Sequence, residues 1–301
     1  MKRGIGLLLL CTAVLAQVPA PVATDAEKHE LAEAIKEANT SGYDITRALE
    51  AHLRKYPDTP LRPDIFNLLA KAAVETRDDA RIIRYGEPAL TATPNDVLLL
   101  DRVSRALLIT GSKDNATRAL DYAKRFENYV IRVPVPTGYD AVKNQDDHDQ
   151  ALARALLYES RANRILGDYD QARRTAALAY IAYPDEASAR EWSEALELQG
   201  NHQEAIERLA DAFAIADPQA GDNRAADRKR LGELYRKLHN GSETGLGDEV
   251  LAGYDRTAET LAKRVNELRK LDPNLGVTDP MNFTLAALDG SKLDLKSLRG
   301  K

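Results

Sequence analysis

One pattern of residues recurs along the chain at an interval of about 33 positions and restricts the fold more than any other feature. Each copy contains a glycine, two alanines and a proline: Gly167, Ala172, Ala179 and Pro184 in the first, and Gly200, Ala205, Ala212 and Pro218 in the second. Apolar residues at helical spacing flank each glycine, which predicts two antiparallel helices per unit. Because such a pair cannot bury its apolar face alone, the units must stack. The sequence therefore predicts an all-α solenoid.

The residues of the first copy fit the needs of a helix–turn–helix unit. Gly167 tolerates the positive φ of a tight turn, and Asp168 can cap the free amide groups of the next helix. Ala172 and Ala179 are small enough for two helix backbones to approach closely, and Pro184 cannot continue a helix. Aromatic residues make up only 6% of the chain, which also favours close-packed helices over a β-sandwich.

This unit resembles the tetratricopeptide repeat (TPR), a helix pair of about 34 residues. Gly167-Asp168-Tyr169 matches the turn of that family, whereas the second unit has Asn201-His202 and places Pro218 one position late. The resemblance implies a TPR-like array with a groove that holds extended peptides. It suggests these groove or partner contacts: Tyr158, Asn163, Tyr180, Tyr183, Arg190 and Trp192.

Weaker units extend the predicted array over residues 25–274. They are indicated around residues 43–57, over 63–96, over 99–126 and from Leu231 onward. Residues 247–271 are typical of a long amphipathic helix that caps the array. Its apolar face contains Leu251, Tyr254, Leu261, Val265 and Leu268.

Residues 130–150 interrupt the repeat. Pro134, Pro136 and Gly138 precede a polar run from Lys143 to Gln150, and together they predict an extended loop. Loops of this length are often functional. The segment is therefore a candidate contact region and a hinge between two half-arrays.

The N-terminus has the pattern of a secretory signal peptide. Lys2 and Arg3 precede an apolar run from Gly4 to Leu15, and small residues predict cleavage after Ala16. Residues 1–16 are thus the predicted signal peptide and 17–24 a flexible leader. The protein is expected to be exported, periplasmic or extracytoplasmic, without a permanent membrane span because the run is too short. The alternative is a tether formed by an uncleaved signal or a lipidated Cys11.

Residues 275–301 follow a different pattern from the array. Phe283 and Leu285 alternate before Asp289-Gly290, and Leu293 and Leu295 alternate after it, which predicts a β-hairpin. The stretch from Phe283 to Gly300-Lys301 resembles the start of redoxin domains, thioredoxin-like α/β modules of the TlpA or AhpC/TSA type. The resemblance implies a linker and a truncated N-terminal start of such a domain. In that family a Gly-Lys pair leads into the first core strand, so no catalytic residue is carried over.

Composition excludes several classes of function. With 42 basic and 47 acidic residues, the formal net charge of -5 disfavours nucleic-acid binding. The single cysteine, Cys11, excludes a dithiol centre within these residues. The five histidines lack metal-ligand spacing, and Gly245-Leu246-Gly247 lacks a phosphate-binding pattern. We therefore expect no catalytic, cofactor-binding or metal-binding residue here, and no cofactor.

Two functions remain as hypotheses. The first is an exported TPR-like scaffold that binds proteins or peptides, or a second copy of itself, and forms the N-terminal part of a thioredoxin-like thiol-disulfide oxidoreductase. The second is a parent protein that is chiefly a redoxin or peroxidase enzyme, whose array is structural or dimerising. A carbohydrate-active or peptidase domain is a weaker alternative, since no paired acids or nucleophile constellation is evident.

Overall fold

The structure of the protein is a computed structural model, which describes residues 22–138, 140–215, 223–286 and 289–299. The predicted signal peptide with Cys11, residues 17–21 of the leader, Pro218, Leu288 and Gly300-Lys301 lie outside these ranges. The described residues form twelve α-helices, two short strands and two 3-10 turns. The helices are α1 (Asp25–Ala38), α2 (Gly42–Lys55), α3 (Arg62–Glu75), α4 (Asp79–Ala92), α5 (Val97–Ile109), α6 (Lys113–Arg132), α7 (Ala141–Leu166), α8 (Tyr169–Ala182), α9 (Glu186–Leu198), α10 (His202–Ala214), α11 (Asn223–Leu238) and α12 (Leu246–Leu268).

Most of the helices begin where a short polar side chain satisfies a free backbone amide. Ser41 accepts from Asp44 N at 3.3 Å, Asp78 accepts from Arg81 N at 3.0 Å, and Asp185 accepts from Ser188 N at 2.7 Å. A cap of this kind stabilises a helix by about 1 kcal/mol. The local sequence therefore fixes where the short helices of the array start.

The helices stack in consecutive antiparallel pairs, so the predicted all-α helical-repeat solenoid is confirmed. Gly167 and Gly200 adopt φ of 92° and 82° in the turns of α7–α8 and α9–α10. Ala172, Ala179, Ala205 and Ala212 are buried where the helices meet. Helix α8 ends at Ala182, just before Pro184. The weaker units predicted over 63–96 and 99–126 correspond to the pairs α3–α4 and α5–α6.

The two clearest repeats share a buried hydrogen bond that the sequence pattern did not reveal. Ser160 Oγ on α7 donates to the carbonyl of Ala172 on α8 at 2.8 Å. Ser193 Oγ, 33 positions later, donates to the carbonyl of Ala205 at 2.7 Å. Both serines are buried. The equivalent bonds show that the sequence repeat is also a structural repeat.

The prediction of an extended loop over 130–150 is wrong. Helix α6 continues to Arg132 and α7 starts at Ala141, so only residues 133–140 connect them. The polar run Lys143–Gln150 is helical because i,i+4 pairs stabilise it, such as Gln145 with Asp149 at 2.7 Å. Helix α7 is consequently 26 residues long, and its first turns carry Asp146 and Asp149, which accept from Arg264 of α12.

Helix α12 forms as predicted, but it packs on α10 mainly through a face beside the predicted apolar one. Gly253 allows close contact, since a Cβ at this position would lie 2.9 Å from the backbone of Ala210. Thr257 is buried, whereas Leu251 and Leu261 are 63% and 39% exposed. The helix therefore crosses the array with its apolar face outward.

The C-terminal hairpin is also present. Strands β1 (Thr284–Ala286) and β2 (Lys292–Asp294) are antiparallel, with Leu285 paired to Leu293. Gly290 has a φ of 81° in the connection. Asn274 holds the hairpin to the preceding segment, because its Oδ1 accepts from Thr284 N at 2.7 Å. The hairpin is small and its paired leucines are exposed.

Candidate functional site

Two of the six predicted groove residues bind other helices of the array, and a third is buried. The Tyr158 hydroxyl donates to Asp101 Oδ1 at 2.8 Å, and burial together with the charge of Asp101 raises the pKa of Tyr158. Arg190 donates to both carboxylate oxygens of Asp227, at 2.6 and 2.7 Å. Tyr158 and Arg190 thus join neighbouring odd-numbered helices, α5 to α7 and α9 to α11. Asn163 is buried on α7.

The other three predicted residues lie at one cavity of about 820 Å³, here called the α12 cavity. Tyr180 and Trp192 line it, and Tyr183 packs at its edge under Arg264. The C-terminal half of α12 forms one wall, and α8, α9, α10 and the first turns of α7 form the rest. Sequence spacing did not show that these elements meet, because their contact depends on α12 folding back over the array.

The inner part of the cavity is aromatic and apolar. The rings of Tyr180 and Trp192 lie 6.0 Å apart, and the Arg208 guanidinium lies 4.9 Å from the Trp192 ring centre. Ile181 and Leu271 on the lining are exposed. Burial, with a smaller effect of a nearby acid, raises the pKa of Tyr180 to about 12, so this hydroxyl stays neutral at physiological pH. The surface suits an apolar side chain.

Two donors near this surface are buried without an acceptor among the described residues. They are the indole N–H of Trp192 and the Nε–H of Arg208. Leaving a buried donor unpaired costs about 1–3 kcal/mol. The other end of the Arg208 guanidinium is paired, since Nη1 lies 2.9 Å from Asp211. A ligand that supplies a carbonyl or carboxylate oxygen after a small side-chain shift would relieve this cost.

The rim of the cavity has more cations than acids. Arg208, Lys263, Arg264 and Lys270 line it, against Asp149 and Glu267. Lys263 and Lys270 are exposed on α12 and the turn that follows it, and they pair with Glu259 and Glu267. Both of these ion pairs are exposed and therefore weak, so an acidic ligand could compete for the two lysines.

Arg264 fixes α12 at this end of the cavity. Its guanidinium donates to Asp146 at 2.7 Å, to Asp149 at 2.9 Å and to the carbonyl of Ala182 at 3.2 Å. It also lies 4.6 Å from the ring centre of Tyr183, a favourable cation–π distance. One side chain thus joins α12 to the start of α7 and the end of α8.

Arg256 fixes the other end of the packed part of α12. Its Nε donates to Asp211 at 2.8 Å, and its Nη2 donates to the carbonyl of Glu207 at 3.0 Å. The Asp211 side chain is almost fully buried and also meets Arg208. Two arginines around one buried carboxylate satisfy its charge. The cavity wall is therefore held at two points about two helical turns apart.

Within the described ranges, no group of three or more His, Cys, Asp or Glu side chains could hold a metal ion. The buried histidine, His52, has Nε2 3.3 Å from Glu27 in the pair α1–α2. No helix in those same ranges has both the length and the apolarity to cross a membrane.

Comparisons with known proteins give limited support. No family model and no curated protein matches the chain. Two solved structures are similar to part of it: a thermophilic TPR protein from Thermus thermophilus and a tetratricopeptide repeat protein from Parabacteroides merdae. Their sequences are 16% and 13% identical to this chain, and the TM-scores are 0.37 and 0.35. The matches cover 69% and 75% of this chain, and 98% and 99% of the respective similar chains. Both scores are low, so the TPR-like fold assignment rests on the helix pairs described above.

Sequence reasoning missed the cationic half of the site. Arg208, Lys263 and Arg264 belong to no recognised motif, and two of them lie on a helix that was expected only to cap the array. A signal did exist in α12, where small and polar residues recur at helical spacing: Gly253, Thr257, Thr260 and Arg264. Such a line of residues can pack closely against another helix, as this one does.

Proposed function

We propose that this chain is a helical-repeat scaffold that binds a protein partner through an extended, acidic peptide segment in the α12 cavity. The observation that carries the proposal is the combination of an aromatic inner surface, Tyr180 and Trp192, with a predominantly cationic rim. A cavity of about 820 Å³ falls in the range of ligand pockets. It is preformed, which reduces the ordering cost of binding.

Acidic peptides fit the rim better than neutral or basic ones. Lys263 and Lys270 extend beside the aromatic surface, where an aspartate or glutamate of the peptide could meet them. Apolar side chains of the peptide would cover Ile181 and Leu271, which are otherwise exposed. A backbone carbonyl of the peptide would give the Trp192 N–H its missing acceptor.

The protein contains one tryptophan, Trp192, so its fluorescence reports directly on the cavity. The test titrates three sets of synthetic peptides, all with apolar residues and carrying acidic, neutral or basic side chains. Acidic peptides should shift the emission and bind with a Kd in the micromolar range. Lys263→Glu and Lys270→Glu should each weaken binding several-fold. Lys229→Glu changes an exposed lysine on α11, away from the cavity, and should not weaken it. Equal responses to all three sets, or to all three variants, would contradict the proposal.

Export is part of the same proposal. It is supported by Lys2-Arg3, the apolar run from Gly4 to Leu15 and the small residues up to Ala16. N-terminal sequencing of the protein from a cell extract and from the extracytoplasmic fraction tests it. A mature chain that begins at Gln17 outside the cytoplasm is expected, and an intact N-terminus found only in the cytoplasm would refute export.

We also propose that residues 275–301 begin a thioredoxin-like domain, so that the scaffold positions a thiol-disulfide oxidoreductase or peroxidase against its partner. The support is the sequence resemblance from Phe283 to Lys301, together with a hairpin too small to fold alone. Reading the coding sequence beyond Lys301 is the test. An apolar strand followed by a cysteine motif is expected, and a stop codon directly after Lys301 would refute this part.

A further inference from the structure

Helix α12 presents an apolar face that the array leaves largely uncovered and that the peptide-binding proposal does not use. Five residues at alternating spacings of three and four form this face, here called the α12 stripe: Leu251, Tyr254, Ala258, Leu261 and Val265. All five residues are exposed. Among the four large ones, the exposed fraction is highest for Leu251, at 63%, and lowest for Tyr254 and Val265, at 37%. The spacing is that of positions a and d in a coiled coil. Such a seam normally faces another helix.

Across the described residues, the array meets the stripe only at Tyr254, whose ring lies 6.3 Å from the ring of Phe213 on α10 and whose hydroxyl accepts from Arg224 on α11. The other four residues are left uncovered, because α12 packs mainly through a different face. Gly253 and Thr257 are buried against α10, and Arg264 is held on α7 and α8. Arg256 and Arg264 fix the helix before any partner arrives. A second helix would therefore meet a preformed surface about 21 Å long, and little ordering would oppose binding.

The charges beside the stripe show which partner fits. Asp248 lies three heptads before Arg269, so both lie on the same flank of the stripe. Both are exposed, and neither has an ion-pair partner in the part of the chain that the structure describes. The exposed charges in the first turns of α12 are acidic, Asp248 and Asp255, whereas the residues just after its last turn are Arg269 and Lys270.

We propose that the α12 stripe binds the α12 stripe of a second copy of this chain in an antiparallel arrangement. A two-fold axis between Ala258 and Leu261 places Leu251 of one copy by Leu268 of the other, and Tyr254 by Val265. The same axis brings Asp248 of each copy toward Arg269 of the other, so the flank is self-complementary. A parallel pair would instead bring Arg269 toward Arg269 of the other copy and leave Asp248 without a cation.

The test measures the mass of the full 301-residue chain by sedimentation equilibrium over a range of concentrations. The wild type should dimerise with a Kd in the micromolar range. Leu261→Glu should weaken the dimer at least about tenfold, since a charge would be buried in the seam. The matched control, Leu178→Glu, changes a leucine that is 51% exposed on α8 and should have no effect. Circular dichroism should show that both variants stay helical.

Charge exchange and cross-linking then test the orientation. Asp248→Arg should weaken the dimer, and the double change Asp248→Arg with Arg269→Asp should restore it. In a Cys11→Ser background, Leu251→Cys should cross-link with Leu268→Cys in a mixture but not with itself. Three results would overturn the proposal: a wild type that is monomeric at about 100 µM, equal effects of the two leucine changes, or a dimer that depends on residues 1–21 and not on Leu261.

Discussion

Removing the Arg264 side chain should release the C-terminal half of α12 without unfolding the array. Arg264 makes two bonds to carboxylates and one to a backbone carbonyl, with its side chain 15% exposed. A buried hydrogen bond to a charged group contributes about 1.5–3 kcal/mol to stability. The Asp146 side chain is 33% exposed, so solvent weakens its bond to Arg264. We therefore expect Arg264→Ala to cost about 2 kcal/mol, which is about a 30-fold change in an equilibrium constant.

Native-state hydrogen exchange measures this loss where it occurs. The amides of α12 beyond Thr257 should exchange about 30-fold faster in Arg264→Ala, while those of α9 and α10 change little. Arg264→Lys should show an intermediate effect, because lysine retains the charge but not the planar fork. Arg236→Ala is the matched control, since Arg236 pairs with exposed Glu243 and such pairs contribute less than about 1 kcal/mol. Equal exchange rates in Arg264→Ala and Arg236→Ala would refute the reasoning.

Three further changes test the packing. Burial and a neighbouring carboxyl group raise the pKa of Glu159 from 4.5 to about 8, so the unfolding free energy of the wild type should fall as the pH rises between those values. Urea titrations should show no such loss in Glu159→Gln. Gly253→Ala should destabilise α12 by about 1–3 kcal/mol, because the added methyl group would clash with α10. Gly247→Ala should instead stabilise α12 slightly, because a Cβ at position 247 would meet no atom within 4 Å. Thermal melts of the two variants test the difference. Ser193→Ala should lower the unfolding free energy by about 1–2 kcal/mol, because it leaves the buried carbonyl of Ala205 without its hydroxyl donor, and equal stability of variant and wild type would contradict this.

The sequence predicted the helix pairs well because their signals are local. Gly167 and Gly200 adopt the positive φ that their turns require, and the alanines five residues later lie buried at the helix contact. Each of these features depends on residues within one unit. The serine bond between paired helices was missed, although Ser160 and Ser193 also recur at the repeat interval, because serine carries no strong pattern of its own.

The prediction of a loop over residues 130–150 failed because it extended the loop through the polar run after Gly138. Pro134, Pro136 and Gly138 do mark a connection, but the polar residues after them form helix. Polar residues avoid a fully apolar core, and a half-buried helix surface such as the start of α7 meets this condition as well as a loop does. The charged run was therefore compatible with both structures, and only its contact with Arg264 shows its role.

The sequence predicted only the aromatic part of the α12 cavity. Aromatic residues on α8 and α9 were singled out, and two of them, Tyr180 and Trp192, do line the cavity. The position of α12 could not be inferred, because amphipathicity shows that a helix has two faces but not which face packs on the protein. Tyr158 and Arg190 were assigned to a groove, yet each has a buried acid as partner that lies on another helix.

The orientation of α12 is the claim on which the cavity, the arginine contacts and the second-copy interface all depend. Cysteine labelling in a Cys11→Ser background tests it most directly, with Leu261→Cys and Thr257→Cys treated with a water-soluble maleimide at low protein concentration. The structure predicts rapid labelling at position 261, which is 39% exposed, and strong protection at position 257, which is 3% exposed. Rapid labelling at 257 with protection at 261 would contradict the account.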